Sequence, residues 1–179
     1  KLSLRLKNKF NNNDFLLIYA AEFINRKNHQ FILETVKRNK EAFKGVKILF
    51  AGKGVLEDKL KDFVTKNSLQ EHVVFLGFRK DIDEMYKMAD IGISSSKQEG
   101  LGLNLVEEMM CGLPVVATID RGHKEVVDYN VNGFLFNQNN HSQFLNFILE
   151  LKNDKAKLEQ FSENAMLKAE KFETKNSLK

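Results

Sequence analysis

Residues 91–118 read IGISSSKQEGLGLNLVEEMMCGLPVVAT. Ile91–Ser94 is a short apolar run, residues 102–111 carry apolar side chains at three- and four-residue spacing, and residues 115–117 are apolar again. The outer runs predict parallel strands buried on both faces, and the middle one a helix with a single apolar stripe. Strand, helix and strand in that order make a right-handed crossover unit.

The same alternation extends outward in both directions. Phe15–Ala20, Val46–Ala51 and residues 73–76 predict three further strands, with helices over 28–39, 56–67 and Ile82–Met88 between them. Downstream, the turn signal Asn130-Val131-Asn132-Gly133 introduces an edge strand over Gly133–Phe136, and helices over 142–151 and 154–171 close the chain. Strict alternation predicts an α/β, Rossmann-like, doubly wound parallel sheet, in which ligands bind beyond the carboxyl ends of the strands. Residues 1–14, ending in Asn11-Asn12-Asn13-Asp14, read as a loop to which a preceding domain would attach; 15–171 read as one domain and 172–179 as a tail.

With 179 residues, 42% hydrophobic and 29% charged, the chain has the composition of one soluble globular domain. No apolar run approaches the roughly 18 residues of a membrane span, and the first ten residues lack a signal-peptide core, so a cytoplasmic location is expected. Cys111, the single cysteine, reads as a buried small hydrophobe. A net charge of +4 suits an anionic ligand, but the lysines are dispersed and no aromatic-basic pattern appears, so nucleic acid is not expected as a partner. His29, His72, His123 and His141 lack metal-ligand spacing and read as surface or capping residues.

Chemistry concentrates after the fourth strand. Gly100 and Gly102 precede a helix, whose free N–H groups suit phosphate. Glu99 and Glu107 flank the helix start on the order of 12 Å apart at about 1.5 Å per helical residue, so they cannot share one reacting atom. They could bind opposite ends of an extended ligand; on spacing alone, a helix-start charge and a solvent-facing carboxylate is the more ordinary account.

Glu99-x7-Glu107 resembles the signature of family 4 GT-B retaining glycosyltransferases. Cys111-Gly112-Leu113-Pro114-Val115-Val116-Ala117-Thr118 is similar to that family's G-x-P-V-V-A-T segment, and Glu125-Val126-Val127 followed by Asn132-Gly133-Phe134-Leu135 to its E-I-V…N-G-F-L segment. The resemblance implies one half of a GT-B fold, with the amino-terminal acceptor domain as its missing partner. It implies that Glu99 and the amides of Gly100, Leu101, Gly102 and Leu103 hold the donor sugar, and that Glu107 takes the ribose. The family's G-R-L-x-x-x-K segment corresponds to Ala21 through Lys27: Lys27 matches the diphosphate-binding lysine, whereas Glu22 replaces the arginine. Arg26 could supply that charge, and equally reads as a solvated surface residue. Phe78 and Arg79, after the third strand, are expected near the nucleobase. Gly52 of Gly52-Lys53-Gly54 reads first as a tight turn and second as a ligand contact.

The implied reaction transfers a hexosyl unit from a UDP- or GDP-sugar to a glycan or lipid-linked acceptor, with retention, with no metal or other cofactor, in bacterial capsule, exopolysaccharide or lipopolysaccharide assembly. Glu99 and Lys27 would be its catalytic residues, and a lipid-linked acceptor implies peripheral contact with the inner membrane. The isolated chain is expected to bind nucleotide weakly and to transfer sugar negligibly. A GT-B nucleotide-sugar epimerase and a non-catalytic sugar- or nucleotide-binding module are the alternatives.

Overall fold

A computed structural model describes the backbone of residues 1–177 and side chains through Phe172; residues 178 and 179, the end of the expected tail, lie outside the described residues. Six strands form one parallel sheet: β1 (Phe15–Ala20), β2 (Val46–Ala51), β3 (Val73–Gly77), β4 (Ile91–Ser94), β5 (Val115–Thr118) and β6 (Gly133–Phe136), in the order β3-β2-β1-β4-β5-β6. Every pairing is parallel, so all six carboxyl ends share one edge. The helices are α1 (Leu2–Lys7), α2 (His29–Arg38), α3 (Glu57–Lys66), α4 (Ile82–Met88), α5 (Leu103–Met110), α6 (Arg121–Val126), α7 (His141–Asn153) and α8 (Lys155–Ser177). The expected Rossmann-like sheet is what forms.

Period-two alternation divides each central strand between two cores. Leu17 and Tyr19 of β1 pack with α2, α3 and α7 in a phenylalanine-rich cluster, whereas Leu16 and Ile18 pack with Met85 and Met88 of α4. Val115 and Ala117 of β5 meet α5 and α8 through Leu105, Met109 and Ala165. Helix α8 wraps the molecule, since its Phe161 joins the first cluster and its Ala165 and Ala169 join the last.

Two expectations about the termini are corrected. Residues 1–14 are not a loop throughout: α1 is held by the buried Arg5, which donates to Met88 O (2.9 Å), Asn12 O (3.0 Å), Asp14 O (2.9 Å) and Asp90 Oδ2 (2.6 Å). A six-residue helix is not stable by itself, and this one depends on a charge 85 residues away. The tail from residue 172 is likewise helical as far as Ser177, with no Gly or Pro to interrupt α8.

One buried group works against the fold. Gly92 in β4 leaves room for Glu108 of α5, because a Cβ there would lie 2.0 Å from Glu108 Oε2. Both carboxyl oxygens are buried without a hydrogen-bond partner among the described residues, and burial, with the nearby Glu107 charge, pushes the carboxyl well above 4.5. A raised folded pKa gives stability that is present below the unfolded value and lost as pH rises through the folded one. Glu108→Gln should therefore gain on the wild type as pH rises from 4.5, by at least about 3 °C at pH 8, the shift that about 1 kcal/mol makes in a domain of this size. Parallel melting-temperature profiles against pH would contradict this account.

Candidate functional site

Strand β1 is paired with β2 on one side and β4 on the other. Its crossover and that of β4 leave toward opposite faces, so the loops after β1 and β4 diverge and open a crevice at the sheet's carboxyl edge. A 3₁₀ turn, Asn25–Lys27, lies in the first loop, closed by Asn28 in the left-handed conformation at φ 53°.

Buried hydroxyls tie the two loops together. Tyr19 OH donates to Lys27 O (2.7 Å) and meets Ser96 Oγ at 3.0 Å, while Ser95 Oγ reaches Lys27 O (3.1 Å) and Asn28 O (2.9 Å). Thr118 Oγ1 donates to Ser96 O at 2.5 Å, and Lys97 N to Arg26 O at 2.9 Å. Burial pushes the Tyr19 phenol up to about 12, so it stays a neutral donor at physiological pH.

This lacing brings three of the expected residues together. Lys27 Nζ lies 2.5 Å from Glu99 Oε1, and Arg26 Nη1 lies 3.1 Å from Glu99 Oε2 and 2.9 Å from Gln98 O. Burial pushes the Glu99 carboxyl up, but hydrogen bonds from Lys27 and Ser96 and the charges of Lys27 and Arg26 outweigh it and hold the group below 4.5. The backbone N–H groups of Gly100, Leu101 and Gly102 have no protein acceptor among the described residues. Leu103 differs: an inverse γ-turn at Gly102 (φ −64°, ψ 61°) points its N–H to Leu101 O at 2.6 Å, so in this state it is engaged within the loop.

Beside these loops lies a cavity of about 670 Å³. Glu107 and Asn104, three residues apart on one face of α5, form part of its wall, with Glu22, Gly52, Phe78 and Arg79 opposite or alongside. Glu99 is not in this wall, so the two glutamates serve separate regions. Gly52 is required by packing: at φ 152°, a Cβ would stand 2.1 Å from Ala21 O. Phe78 is 66% exposed, with Lys53 Nζ 5.5 Å from its ring centroid, and Arg79 pairs with Asp81 at 2.6 Å.

Other expectations fail. Its place after the fifth strand predicts Glu125 at this same cleft, but it does not line the cavity; it borders a separate groove with Asp128 and Lys168. His29, His72 and His123 are buried rather than superficial. His29 stacks on Tyr19 at 4.5 Å within an aromatic cluster whose desolvation, with the Lys27 charge, lowers its pKa to about 3. His29 is enclosed by the rings of Tyr19, Phe23 and Phe50, and His123 by Thr118 and the loop at Gly102, contacts that exist only once the strands and loops assemble. Cys111 is only half-buried. Among the described residues no three His, Cys, Asp or Glu side chains are grouped to hold a metal ion, and no helix is long and apolar enough to cross a membrane.

Removing one member of the charge cluster leaves a largely buried carboxylate with a single, more exposed partner. Lys27→Met should cost about 1–2 kcal/mol in urea unfolding at pH 7. A depressed folded pKa gives stability that is present above 4.5 and lost as pH falls through the folded value, so the gap to wild type should close in acid. A gap independent of pH would dissociate Lys27 from Glu99.

The model of the group 1 glycosyl transferases matches residues 2–168. EpsD of Bacillus subtilis strain 168, itself a candidate glycosyltransferase, is 36% identical over 148 residues, which are 83% of this chain and 39% of that protein. The poly(glycerol-phosphate) alpha-glucosyltransferase of the same organism is 32% identical over 126 residues, 70% of this chain and 19% of the relative. The crystal structure of Anabaena HepE with UDP-glucose superposes with a TM-score of 0.87 at 26% identity, covering 95% of this chain and 47% of that one. The chain thus spans less than half the length of these relatives. The match over nearly its whole length, on a sheet that joins Lys27 to Glu99, identifies the chain as a member of the group 1 glycosyl transferase family.

Proposed function

We propose that this chain is the nucleotide-sugar-binding half of a retaining glycosyltransferase, taking a UDP-sugar first and a GDP-sugar second. The observation that carries this reading is the cluster of Lys27, Arg26 and Glu99 at the switch point between β1 and β4, next to a cavity that reaches Glu107. Two cations, three unpaired loop amides and the start of α5 converge there, and each favours an anion. The UDP-glucose held by HepE supports the choice of base and class.

Lys27 and Arg26 would neutralise the diphosphate, with Arg26 taking the place of the arginine that Glu22 displaces. Glu99 and the segment from Gly100 to Leu103 would hold the sugar, Glu107 the ribose, and Gly52, Phe78 and Arg79 the nucleobase region. In the reaction the bond between the anomeric carbon and the diphosphate oxygen breaks, the electron pair leaves with the diphosphate, and an acceptor hydroxyl oxygen bonds to that carbon on the same face while its proton passes to the departing diphosphate oxygen. Charge grows on the leaving diphosphate, where Lys27 and Arg26 already stand, so the charge is met by fixed protein groups without a metal ion. The second GT-B domain would bring a glycan or lipid-linked acceptor and close over the donor, and the setting would be polysaccharide assembly at the inner face of the cell membrane.

Thermal denaturation with UDP-, GDP- and ADP-sugars tests this directly. At about 100 times the dissociation constant, binding adds about 2.7 kcal/mol, or about 5–10 °C for a domain of this size. Wild type should show that shift with a UDP-sugar, and Glu107→Ala should melt normally yet lose most of it. No shift with any of the three would refute the reading.

A further inference from the structure

His123 lies on α6, directly beneath the loop that carries Glu99. Gly122 before it must be glycine, because a Cβ there would come 2.8 Å from Glu99 O and 3.0 Å from Gly100 C. On the other side, a Cβ on Gly102 would meet His123 Cδ2, the carbon bonded to Nε2, at 3.2 Å. Gly122 therefore packs against the Glu99 end of this segment, and the imidazole of His123 against its Gly102 end.

Its hydrogen bonds define its tautomer. Nδ1 lies 2.8 Å from Thr118 O, and a carbonyl oxygen only accepts, so Nδ1 carries the proton. Nε2 is then a bare acceptor, fully buried and without a partner among the described residues. Burial lowers the ring's pKa, so it cannot turn the lone pair into a second N–H at neutral pH. An unmet buried acceptor is uncommon in folded proteins and calls for a donor.

The segment above has the opposite deficit, since the N–H groups of Gly100, Leu101 and Gly102 lack acceptors among the described residues. A phosphate oxygen would satisfy the amides but has no proton for Nε2. A hydroxyl both accepts and donates, so one hydroxyl answers both.

We propose that His123 Nε2 accepts a hydrogen bond from a hydroxyl of the sugar carried by the nucleotide, which makes His123 a specificity-determining residue of this site. The assignment rests on the donor-binding reading above. Access follows from the same charges: a diphosphate competes with Glu99 for Lys27 and Arg26, and releasing Glu99 frees the glycine-flanked segment that covers the ring.

Calorimetric titrations of UDP, UDP-glucose and the 2-, 3-, 4- and 6-deoxy analogues, with GDP and the GDP-mannose series in parallel, separate the two claims. Wild type, His123→Phe and His123→Gln should bind the bare nucleotide equally, which also shows that the variants fold. Removing one particular hydroxyl should weaken binding to wild type about 10-fold, the effect of about one hydrogen bond. His123→Phe should bind the intact nucleotide sugar about 10-fold more weakly and show no further loss for that same analogue, while His123→Gln, which keeps an acceptor, should recover part of the affinity. If His123→Phe does not fold, the wild-type series and His123→Gln still decide. Equal sensitivity of variants and wild type to every deoxygenation, or a wild type indifferent to all of them, as a bound water on Nε2 would produce, overturns the assignment of His123 alone. Failure of both nucleotides to bind overturns the donor reading and this inference with it.

Discussion

Lys27 and Glu99 are 72 residues apart in sequence, and their charges meet only because β1 lies between β2 and β4 in the sheet. That placement makes the crossovers diverge, opens the carboxyl edge and brings two loops within reach of each other. Tyr19, Ser95, Ser96 and Thr118 then close the distance with hydrogen bonds from buried hydroxyls, so the charged side chains project from a fixed frame. Little of the Lys27–Glu99 pair is exposed, and the attraction is correspondingly less screened than on an open surface. An anion entering the crevice faces cations already positioned and a carboxylate that can be displaced from them.

The interior also holds groups that a fold selected for stability alone would not retain. Among the described residues, Glu108 on α5 is a buried acid without a hydrogen-bond partner, and Nε2 of His123 a buried acceptor without one beneath the Glu99 loop. Each lowers stability, and each depends on a rigid surround to stay in place. The surround is aromatic on one face of the sheet, where Phe23, Phe50 and Phe75 meet edge to face, and Phe31, Phe136 and Phe144 form a second group. It is aliphatic on the other, where Leu105, Met109, Val115 and Ala165 pack α5 and α8 on β5.

The six strands were legible because strands buried on both faces must be apolar throughout, and their flanking helices carry visible stripes; Phe15–Ala20 and Val46–Ala51 show this most plainly. What escaped were elements held by distant partners. Helix α1 depends on Arg5 reaching Asp90, and the buried histidines depend on rings and carbonyls from other strands. Motif resemblance alone singles out Glu99, Glu107 and Lys27 as candidates, since spacing by itself does not separate ligand carboxylates from ordinary helix charges. The convergence of Arg26 on Glu99 was not legible, because it depends on how the turn at Asn25–Lys27 closes. His123 was overlooked for a related reason: the tautomer and the missing donor exist only in three dimensions.

On the donor-binding reading, the Lys27–Glu99 pair stands where a donor diphosphate and its sugar would bind. A crystal structure of the protein with a bound UDP-sugar tests it most directly. Lys27 Nζ should then lie on a phosphate oxygen, the Glu99 carboxylate should turn to a sugar hydroxyl, and the ribose should rest on Glu107. A nucleotide bound elsewhere, with the Lys27–Glu99 pair intact, would contradict it.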